Sequence, residues 1–492
     1  MAGLLVAGTT SDAGKSVVVT GLCRALARRG VRAAPYKAQN MSNNSVVCLG
    51  PDGAGVEIGR AQWVQAQAAR ATPEAAMNPV LLKPGGDQRS HVVLMGQPWG
   101  EVSSSDWLLG RRALAAAAHA AYDDLASRYE IVVAEGAGSP AEINLRAGDY
   151  VNLGLARHAG LPTVVVGDID RGGVFAAFFG TVALLSPADQ ALIAGFVVNK
   201  FRGDPNLLAP GLRDLERITG RRVFGTLPWH PDVWLDSEDG LGLQGRRSPS
   251  VDARRVAVVR LPHISNFTDV DALGLEPDLD VVFASRPDDF IDADLVVLPG
   301  TRATIADLAW LRSRGLDRAV VAHAVAGRPV LGICGGFQML GRTVDDSAGI
   351  EGAGGEVDGL CLLDVETNFV AAKTLRLSEG QWHGAPSAGY EIHHGRVTPG
   401  SGVEEFLGGA RAGQIFGTMW HGAFEGDGLR ARFLHETLGL DPSGVSFPRA
   451  REQRLELLGD LIEKCLDVDA LGELVRGGPP PGLPFLPPGA PG

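Results

Sequence analysis

The sequence has few cysteines, and none stands in the spacing that metal sites or disulfide frameworks require. Five of them are spread over 492 residues, without a CxxC pair or a Cys/His cluster: Cys23, Cys48, Cys334, Cys361 and Cys465. Structural zinc depends on closely spaced ligands, and disulfide-dependent folds on a high cysteine density. We therefore expect neither in this chain.

Long hydrophobic runs are also missing, and basic residues do not predominate. The first residues, MAGLLVAGTTSDAGKS, have no basic region before the apolar stretch and predict a β-strand rather than a signal peptide. No apolar run reaches transmembrane length. The net charge of −12 argues against broad binding to nucleic acid or anionic membranes. We expect a cytoplasmic protein without nucleic-acid or membrane partners, and a homo-oligomer is left open.

The chain is long enough for two or three domains, and its first half alternates short apolar runs with helical patterns. Helices are predicted at 15–29, 57–71 and 105–127. Strands are predicted at 4–8, 32–37, 131–136, 162–168, 193–199 and 222–227. This alternation predicts an α/β domain at 1–235, whose mostly parallel sheet is covered by helices on both faces.

A polar, glycine-rich stretch at 236–253 predicts a linker to a second α/β domain at 254–476. Its strands are predicted at 255–261, 280–284, 295–299, 330–334 and 414–420, with a strand-rich stretch at 365–397. A helical pattern at 450–475 is expected to pack on the outside of this domain. The proline- and glycine-rich tail at 477–492 is expected to be disordered.

A phosphate-binding loop follows the first predicted strand and opens a helix. Backbone N–H groups between Gly8, Thr9 and Gly14 would face the phosphates of ATP, Lys15 would neutralise charge, and the Ser16 hydroxyl would bind Mg²⁺. The leading glycine sits one residue earlier than in the common GxxxxGK[ST] pattern. The loop instead resembles that of dethiobiotin synthetase and its relatives, which implies the same type of parallel-sheet domain.

Other strand ends carry polar residues suited to the same site. Glu135 ends a strand beside the phosphate loop, where its carboxylate could hold Mg²⁺. Asn199 ends another strand, where its amide could contact adenine. Asp168 and Asp170 lie in a distinctive GDIDRGG string and are candidates for a switch or substrate-binding loop.

A second chemistry is predicted where a strand ends at Cys334 and a glycine pair precedes a helix. Such a junction lifts a thiol out of the sheet beside backbone N–H groups, which predicts a nucleophile and an oxyanion hole. We expect the N–H of Gly335 and one from the turn at Gly300 to form that hole. His421, which follows an apolar strand, is the preferred base.

The chain order of Cys334 and His421 resembles class I glutamine amidotransferases, which implies that L-glutamine is a substrate. Those enzymes usually continue the histidine motif as His-Pro-Glu, but here the carboxylate is missing from that place. Either Glu425 substitutes for it or the site works as a dyad. His393 and His394 are rival bases, of which only one can face inward on a strand.

Several longer strings resemble the cobyric acid synthase family, the glutamine-dependent amidotransferases of cobalamin biosynthesis. The resemblance covers about residues 3–465. The strings that carry it are KAQNMSNNS at 37–45, EIGRAQ at 57–62, GDIDRGG at 167–173, NKFRGD at 199–204, ISNFTD at 264–269 and GYEIH at 389–393. The resemblance implies ATP- and Mg²⁺-dependent amidation of the b, d, e and g carboxylates of adenosylcobyrinic (or hydrogenobyrinic) acid a,c-diamide. It also implies an acyl phosphate intermediate and a guarded passage for ammonia between the domains.

The KAQNMSNNS string supplies candidate substrate-binding residues. Lys37 would neutralise the carboxylate being phosphorylated, and Asn40, Asn43 and Asn44 would bind corrinoid amides and carboxylates, as would Asp168 in the GDIDRGG loop. Three alternatives remain: a related carboxylate amidase such as an a,c-diamide synthase or a cell-wall lipid amidotransferase, a partitioning-type ATPase, and a corrinoid-binding scaffold. The KAQNMSNNS string argues against the first alternative and the Cys334 site against the second. The intact phosphate loop argues against the third.

Overall fold

The protein is described by a computed structural model that covers residues 2–84, 89–103, 107–233, 252–352 and 354–487. The elements of the first half are β1 (Gly3–Gly8), α1 (Lys15–Arg28), β2 (Ala33–Tyr36), β3 (Gln39–Met41), β4 (Ser45–Leu49), β5 (Gly55–Gly59), α2 (Arg60–Ala68), β6 (Val80–Pro84), β7 (Arg89–Leu94), β8 (Gln97–Ser103), α3 (Trp107–Arg128), β9 (Ile131–Glu135), α4 (Leu153–Ala159), β10 (Thr163–Asp168), α5 (Val174–Ala183), α6 (Pro187–Gln190), β11 (Ile193–Phe201), α7 (Pro205–Thr219) and β12 (Arg222–Pro228).

The second half contains β13 (Arg254–Val259), β14 (Leu279–Ala284), β15 (Leu295–Leu298), α8 (Thr304–Ser313), α9 (Leu316–Val325), β16 (Val330–Ile333), α10 (Gly335–Leu340), β17 (Thr343–Asp345), β18 (Glu356–Asp358), β19 (Val365–Trp382), β20 (Ala385–Pro399), β21 (Glu404–Phe406), β22 (Gly409–Ala412), β23 (Ile415–Thr418), α11 (Asp427–Leu438), α12 (Phe447–Cys465) and α13 (Val468–Gly477).

The first domain is built on a parallel sheet with strand order β12-β11-β10-β1-β9-β2. All six strands predicted for this domain are present within two residues of the predicted bounds. The strands are apolar because both of their faces are buried under helices, as is usual for parallel sheets. Strand β1 lies near the middle, so the phosphate loop that follows it opens at the centre of the carboxyl edge.

The residues between β2 and α3 form strands that the sequence pattern did not predict. Strands β4 and β5 make an antiparallel pair, and β3-β6-β7-β8 make a separate sheet. The predicted helix at 57–71 therefore begins only at Arg60 and ends at Ala68, because Gly55–Gly59 pairs with Ser45–Leu49 instead. These small sheets hold the 37–45 string against the main sheet.

The second domain is built on a sheet with strand order β14-β13-β15-β16-β23-β22-β21, in which the first five strands are parallel. Its five predicted strands are all present. The strand-rich stretch at 365–397 forms the long antiparallel hairpin β19–β20, which belongs to a separate sheet and also contacts β4 and β5 of the first domain. This hairpin fastens the two domains together.

The end of the chain returns to the first domain. Helices α12 and α13 share a hydrophobic core with β1 and α1, so the expectation that 450–475 packs on the second domain was wrong. Arg24 on α1 is buried and pairs with Glu452 and Glu456 on α12 at 2.7 and 2.9 Å. The charges of α1 are thus complementary to those of α12, a match that helical periodicity alone does not reveal.

The tail also differs from expectation over its described part. Leu486 is buried, and its backbone exchanges two hydrogen bonds with the side chain of Gln190, at 2.8 and 2.9 Å. Pro484 accepts a hydrogen bond from Arg221 at 3.1 Å. The tail is therefore held to the first domain at Pro484 and Leu486, although most of residues 481–487 are exposed. Residues 488–492 and the predicted linker residues 236–251 lie outside the described residues. Among the described residues, no helix is long and apolar enough to cross a membrane.

A glycine in α1 provides a test of the α1–α12 contact. A Cβ at Gly21 would lie 2.4 Å from Cγ1 of Ile462 and 2.8 Å from the backbone O of Leu458. We expect Gly21→Ala to lower the free energy of unfolding by about 1–3 kcal/mol through overpacking, despite the better helix propensity of alanine.

Gly180 in α5 is the matched control, because a Cβ there would meet no atom within 4 Å. Gly180→Ala should be neutral or stabilising by up to about 1 kcal/mol, since alanine favours a helix interior. Denaturant unfolding of the full chain measures both values. Equal effects of the two substitutions would contradict the described packing of α12 on α1.

Candidate active site

The phosphate loop connects β1 to α1 at the carboxyl edge of the first sheet. Nζ of Lys15 donates to the backbone oxygens of Thr10 and Ser11, at 3.0 Å each, so the lysine lies across the loop that it follows. Gly14 adopts φ 99°, which lets the chain turn into the helix directly before Lys15. The helix N-terminus thus presents N–H groups and a cation at one point, as phosphate binding requires.

Glu135, at the end of β9, lies in the middle of this site. Its carboxylate accepts hydrogen bonds from Ser16 at 2.9 Å, Lys37 at 3.1 Å and Gln65 at 2.5 Å. Burial alone would raise the pKa of Glu135, but the charges of Lys37 and Lys15 lower it overall. The group is therefore a buried carboxylate, and Gln65 is a partner that the sequence analysis missed.

The pair Ser16–Glu135 fits a magnesium ion. A hydroxyl and a carboxylate 2.9 Å apart are hard oxygen ligands, and Mg²⁺ usually takes one or two such protein ligands beside phosphate oxygens and water. Within the described part of the chain there is no cluster of three or more His, Cys, Asp or Glu side chains suited to a metal. The two oxygens suit an ion that arrives with its nucleotide rather than an all-protein metal site.

Asn199 and Asp168 lie at neighbouring strand ends but contact different partners. Asn199 is buried and donates to the backbone O of Ala13 at 2.9 Å, so its amide supports the phosphate loop. Asp168 pairs with Lys200 at 2.8 Å and accepts from the N–H of Asp170 at 2.9 Å. Lys200 lines the large cavity described next, and Asp168 positions it; direct binding of substrate by Asp168 stays a prediction.

A cavity of about 1350 Å³ lies between the domains and reaches the phosphate loop. Lys37, Asn40, Asn43 and Asn44 all line it, so the structure brings together the residues predicted from the 37–45 string. Its volume exceeds the roughly 300–1,000 Å³ of ordinary small-molecule pockets.

The opposite wall of this cavity comes from the second domain, which the sequence analysis did not foresee. Arg260 follows β13, and Trp310 and Arg314 belong to or follow α8. The two arginines bring positive charge to a site that also contains Lys15 and Lys37. The large cavity therefore suits an anionic ligand with an extended apolar surface.

Cys334 stands in a strained turn between β16 and α10, as the sequence predicts. It has φ 52° and ψ −110°, values that non-glycine residues rarely adopt, and its N–H donates to the backbone O of Thr418 at 2.7 Å. A Cβ at Gly335 would lie 2.6 Å from Cγ2 of Thr301, and one at Gly300 would lie 2.9 Å from Cε1 of His421. The two glycines thus lie beside the thiol and the imidazole, and their oxyanion role stays a prediction.

His421 is completed by a carboxylate that the sequence analysis did not assign. Its Nδ1 lies 2.7 Å from Oδ2 of Asp269, and Oδ1 of Asp269 accepts from the N–H of Gly422 at 2.8 Å. Cys334 lies beside the imidazole, since both line the same small cavity and the sulfur contributes to the raised pKa of His421. These contacts form a Cys–His–Asp triad, in which the third residue comes from the ISNFTD string, 152 residues before the histidine.

The triad favours a charged imidazole. Burial alone would lower the pKa of His421, but the charges of Asp269 and Cys334 raise it to about 10. At neutral pH the histidine is then an imidazolium beside the Cys334 sulfur, where it can donate a proton to a leaving group. The ISNFTD string had marked this loop as part of the family resemblance. No local sequence spacing, however, links Asp269 to a histidine so far along the chain.

The other candidate partners are occupied elsewhere. Glu425 pairs with Arg60 of the first domain at 2.6 Å, so the expectation that it might orient His421 was wrong. His393 lies 3.0 Å from Glu391, and Nδ1 of His394 lies 3.1 Å from the backbone O of Val370. Both histidines line the small cavity beside Cys334 without replacing His421 in the triad.

Comparison with known proteins agrees with this division of the chain. Residues 4–243 match the family described as CobQ/CobB/MinD/ParA nucleotide binding domain, and residues 255–429 match the CobB/CobQ-like glutamine amidotransferase domain. A nucleotide-binding domain joined to a glutamine-hydrolysing domain defines an ATP-dependent amidotransferase, an enzyme that forms amides with nitrogen from glutamine.

Relatives that match over their full length show which family of amidotransferases this chain belongs to. The chain is 80% identical over 491 residues to a cobyric acid synthase of Mycolicibacterium vanbaalenii and to one of Mycolicibacterium gilvum, with 100% of each chain covered. It is 76% identical over 494 residues to the cobyric acid synthase of Mycobacterium tuberculosis, again over 100% of both chains. The chain belongs to the cobyric acid synthase family, the glutamine-hydrolysing ligases of cobalamin biosynthesis.

Replacing the triad carboxylate tests its role. We expect Asp269→Asn to reduce glutamine hydrolysis by about 100- to 10,000-fold, because the neutral amide no longer stabilises the imidazolium. Asp269 raises the pKa of His421, so removing its charge should lower that pKa. The alkaline limb of the pH–rate profile should therefore shift to lower pH. Glutamate release measured from pH 6 to 11 reports both effects.

Glu425→Gln is the matched control, because it neutralises a carboxylate four residues after His421 that pairs with Arg60. It should keep the alkaline limb of the pH profile in place. If instead it reproduces the shift seen with Asp269→Asn, the assignment of the third triad member is wrong.

Proposed function

We propose that the enzyme amidates the b, d, e and g carboxylates of adenosylcobyrinic (or hydrogenobyrinic) acid a,c-diamide, with one ATP and one glutamine for each amide. The observation that carries this proposal is the position of the two sites. The phosphate loop opens into the large cavity, and Cys334 lines a small cavity of about 40 Å³ next to it. An activated carboxylate and newly released ammonia would then form close to each other.

The first step is the activation of a carboxylate. A carboxylate oxygen attacks the γ-phosphorus of ATP, the bond to the β,γ-bridging oxygen breaks, and ADP leaves with that electron pair. The product is an acyl phosphate. Lys15 and Lys37 lie where the phosphate and the carboxylate carry negative charge, and they would stabilise the charge in the transition state. Ser16 and Glu135 would hold Mg²⁺, which screens phosphate charge when bound.

The second step releases ammonia from glutamine. The Cys334 thiolate attacks the side-chain amide carbon, and backbone N–H groups near Gly300 and Gly335 would stabilise the oxyanion. The imidazolium of His421 donates its proton to the leaving nitrogen, which departs as NH₃ and leaves a thioester. Water activated by His421 then hydrolyses the thioester to glutamate and restores the thiolate.

The third step joins the two chemistries. Ammonia attacks the acyl carbon, the bond to the phosphate oxygen breaks, and inorganic phosphate leaves as the nitrogen loses a proton. Ammonia in bulk water is mostly protonated and not nucleophilic. Transfer inside the protein preserves the reactive form.

The small cavity contains groups that suit the head group of glutamine. Arg302 and Glu351 line it together with Cys334, and they lie 3.9 Å apart. We propose that Arg302 binds the α-carboxylate and Glu351 the α-ammonium group. Burial raises the pKa of Glu351 to about 7, so an arriving ammonium group would favour its ionised form.

The adenine base would occupy a third cavity, of about 140 Å³, beside the phosphate loop. Asn199, Pro228 and Trp229 line it on one side, and Leu458 and Ile462 of α12 line it on the other. Lys200 and His230 also line this cavity, so it is a mostly apolar slot with a few polar groups, which suits a nucleobase with its flat faces and polar edge. This supports the predicted nucleotide-binding role of Asn199.

The corrinoid would lie in the large cavity. Its carboxylates match Arg260 and Arg314, and its macrocycle matches the indole face of Trp310. The amides of Asn40, Asn43 and Asn44 could exchange hydrogen bonds with either the carboxylates or the product amides. This placement would bring successive carboxylates of one macrocycle to the same phosphate site.

Product mass and a cysteine variant together test the proposal. With MgATP, glutamine and adenosylcobyrinic acid a,c-diamide, the product should show one mass step for each of the b, d, e and g carboxylates. Cys334→Ala should lose glutamine-dependent amidation by at least about 1,000-fold, yet keep amidation supported by high ammonia, because only the nitrogen source is removed.

Unchanged corrinoid mass with wild-type enzyme and active substrates would contradict the proposed reaction. Failure of ammonia to rescue Cys334→Ala would contradict the separation of the two sites. Cys361→Ala is the matched control, because this exposed thiol is not among the described residues that line the three cavities, and it should keep the wild-type rate with glutamine.

A further inference from the structure

The large cavity and the glutaminase cavity are separated by a thin wall. Ile264 and Phe267 line the large cavity, whereas Ser265 and Asn266, which stand between them in sequence, line the cavity with Cys334. A single loop thus presents its two sides to the two reactions. The same loop continues to the triad carboxylate.

Asn43 completes this wall from the first domain. Among the described residues that line these two cavities, it is the one common to both. Every other lining residue belongs to one side. A molecule that moves between the cavities by the shortest route therefore passes the side chain of Asn43.

Hydrogen bonds hold the wall in place directly after Asn43 in the sequence. The N–H of Ser45 donates to Oδ1 of Asn266 at 2.9 Å, and the N–H of Phe267 donates to Oδ1 of Asn44 at 3.3 Å. Asn266 adopts φ 49°, an uncommon backbone conformation that turns its side chain toward this contact. The backbone that follows Asn43 is thus fastened to the loop at 264–269.

The Asn43 side chain has an unused hydrogen-bond acceptor. Its Oδ1 is buried and has no hydrogen-bond partner among the described residues. A buried acceptor without a partner is unusual in proteins and calls for an explanation such as a transient ligand. Ammonia carries N–H donors and is small enough to satisfy it.

The charges around the glutaminase cavity favour neutral ammonia over ammonium. Lys83, Lys373 and Arg302 line it, and Lys373 pairs with the buried Glu57 at 2.5 Å. Lys83 pairs with the same carboxylate, and Arg302 faces Glu351. Three cations against two carboxylates repel a positively charged ammonium ion, while the neutral amide of Asn43 accepts a hydrogen bond from NH₃ without stabilising the protonated form.

We propose that Asn43 is the transfer residue for ammonia, whose Oδ1 accepts an N–H of NH₃ leaving the Cys334 pocket and whose side chain opens the wall toward the activated carboxylate. This inference rests on the proposed function and adds the place at which nitrogen crosses between the domains. It gives Asn43 a role beyond the corrinoid contact predicted for the 37–45 string.

Substitution of Asn43 separates transfer from chemistry. In the full chain with glutamine, MgATP and adenosylcobyrinic acid a,c-diamide, Asn43→Leu should raise the ratio of glutamate released to amide formed from about 1 to more than about 5. Leucine keeps the size of the side chain but removes the acceptor and blocks the wall. Amidation with glutamine should fall at least about 3-fold more than amidation with high external ammonia.

A second variant guards against a folding defect of the leucine protein. Asn43→Asp has nearly the same shape, but its carboxylate holds ammonia as ammonium, so the glutamate-to-amide ratio should also rise. Asn40→Leu is the matched control, because Asn40 lies on the same strand-and-loop segment and lines only the large cavity. Asn40→Leu should lower amidation with glutamine and amidation with external ammonia to the same extent. The ratio of glutamate released to amide formed should not change.

The outcomes are distinguishable. A ratio that stays near 1 in both Asn43 variants overturns the transfer role. A parallel loss with glutamine and ammonia at an unchanged ratio also overturns it, because it makes Asn43 only a corrinoid ligand. Either result leaves the proposed function intact, whereas a wild-type enzyme that does not amidate the corrinoid contradicts that function itself.

Discussion

The hydrogen bonds of the loop at 264–269 are the interaction on which the rest of the site depends. At one end Asn266 accepts the N–H of Ser45 from the first domain, and at the other Asp269 fixes the imidazole of His421. The loop therefore joins the 37–45 string, for which corrinoid binding is proposed, to the carboxylate of the glutaminase triad. Such a link would allow glutamine to be hydrolysed only when its acceptor is bound.

Two buried carboxylates of the first domain, Glu135 and Glu57, are compensated in the same way. Glu135 is compensated by Lys37, Ser16 and Gln65, and Glu57 by Lys83 and Lys373, each inside the protein. A buried carboxylate is unfavourable unless its partners are placed accurately, so these groups define the position of the strands that carry them. The second cluster joins Lys373 of the hairpin to two residues of the first domain. Domain docking and the electrostatics of the glutaminase cavity are therefore set by the same residues.

The sequence predicted the strands of both main sheets and the reactive residues that follow them, because apolar strands buried on both faces and glycine turns leave clear local patterns. Cys334, His421, Lys15 and Glu135 were predicted as site residues in this way, and the structure places each of them at or shortly after a strand end or in the phosphate loop. Asp269 was not assigned, because the contact joins residues far apart in sequence and no short spacing encodes it. Helix α12 was predicted as a helix but assigned to the wrong domain, since amphipathic periodicity shows that a face is buried and not what covers it. Among the missed short strands between β2 and α3, only β3 pairs with a strand far along the chain. The pairs β4–β5, β6–β7 and β7–β8 join neighbouring strands, so their pairing was local and was overlooked.

The return of α12 and α13 to the first sheet has a consequence for how the chain is made. Leu455, Ile462 and Leu474 complete a core that begins with Leu4 and Val18, so a ribosome-bound chain carries an unfinished nucleotide domain until α12 and α13 have emerged. The glutaminase domain, whose own core lies between residues 256 and 434, can close earlier. In topological terms it is an insertion within the nucleotide domain. Because α12 also borders the proposed base cavity, a chain that lacks this helix would keep the Cys334 site but lose one wall of the cavity proposed for the nucleobase.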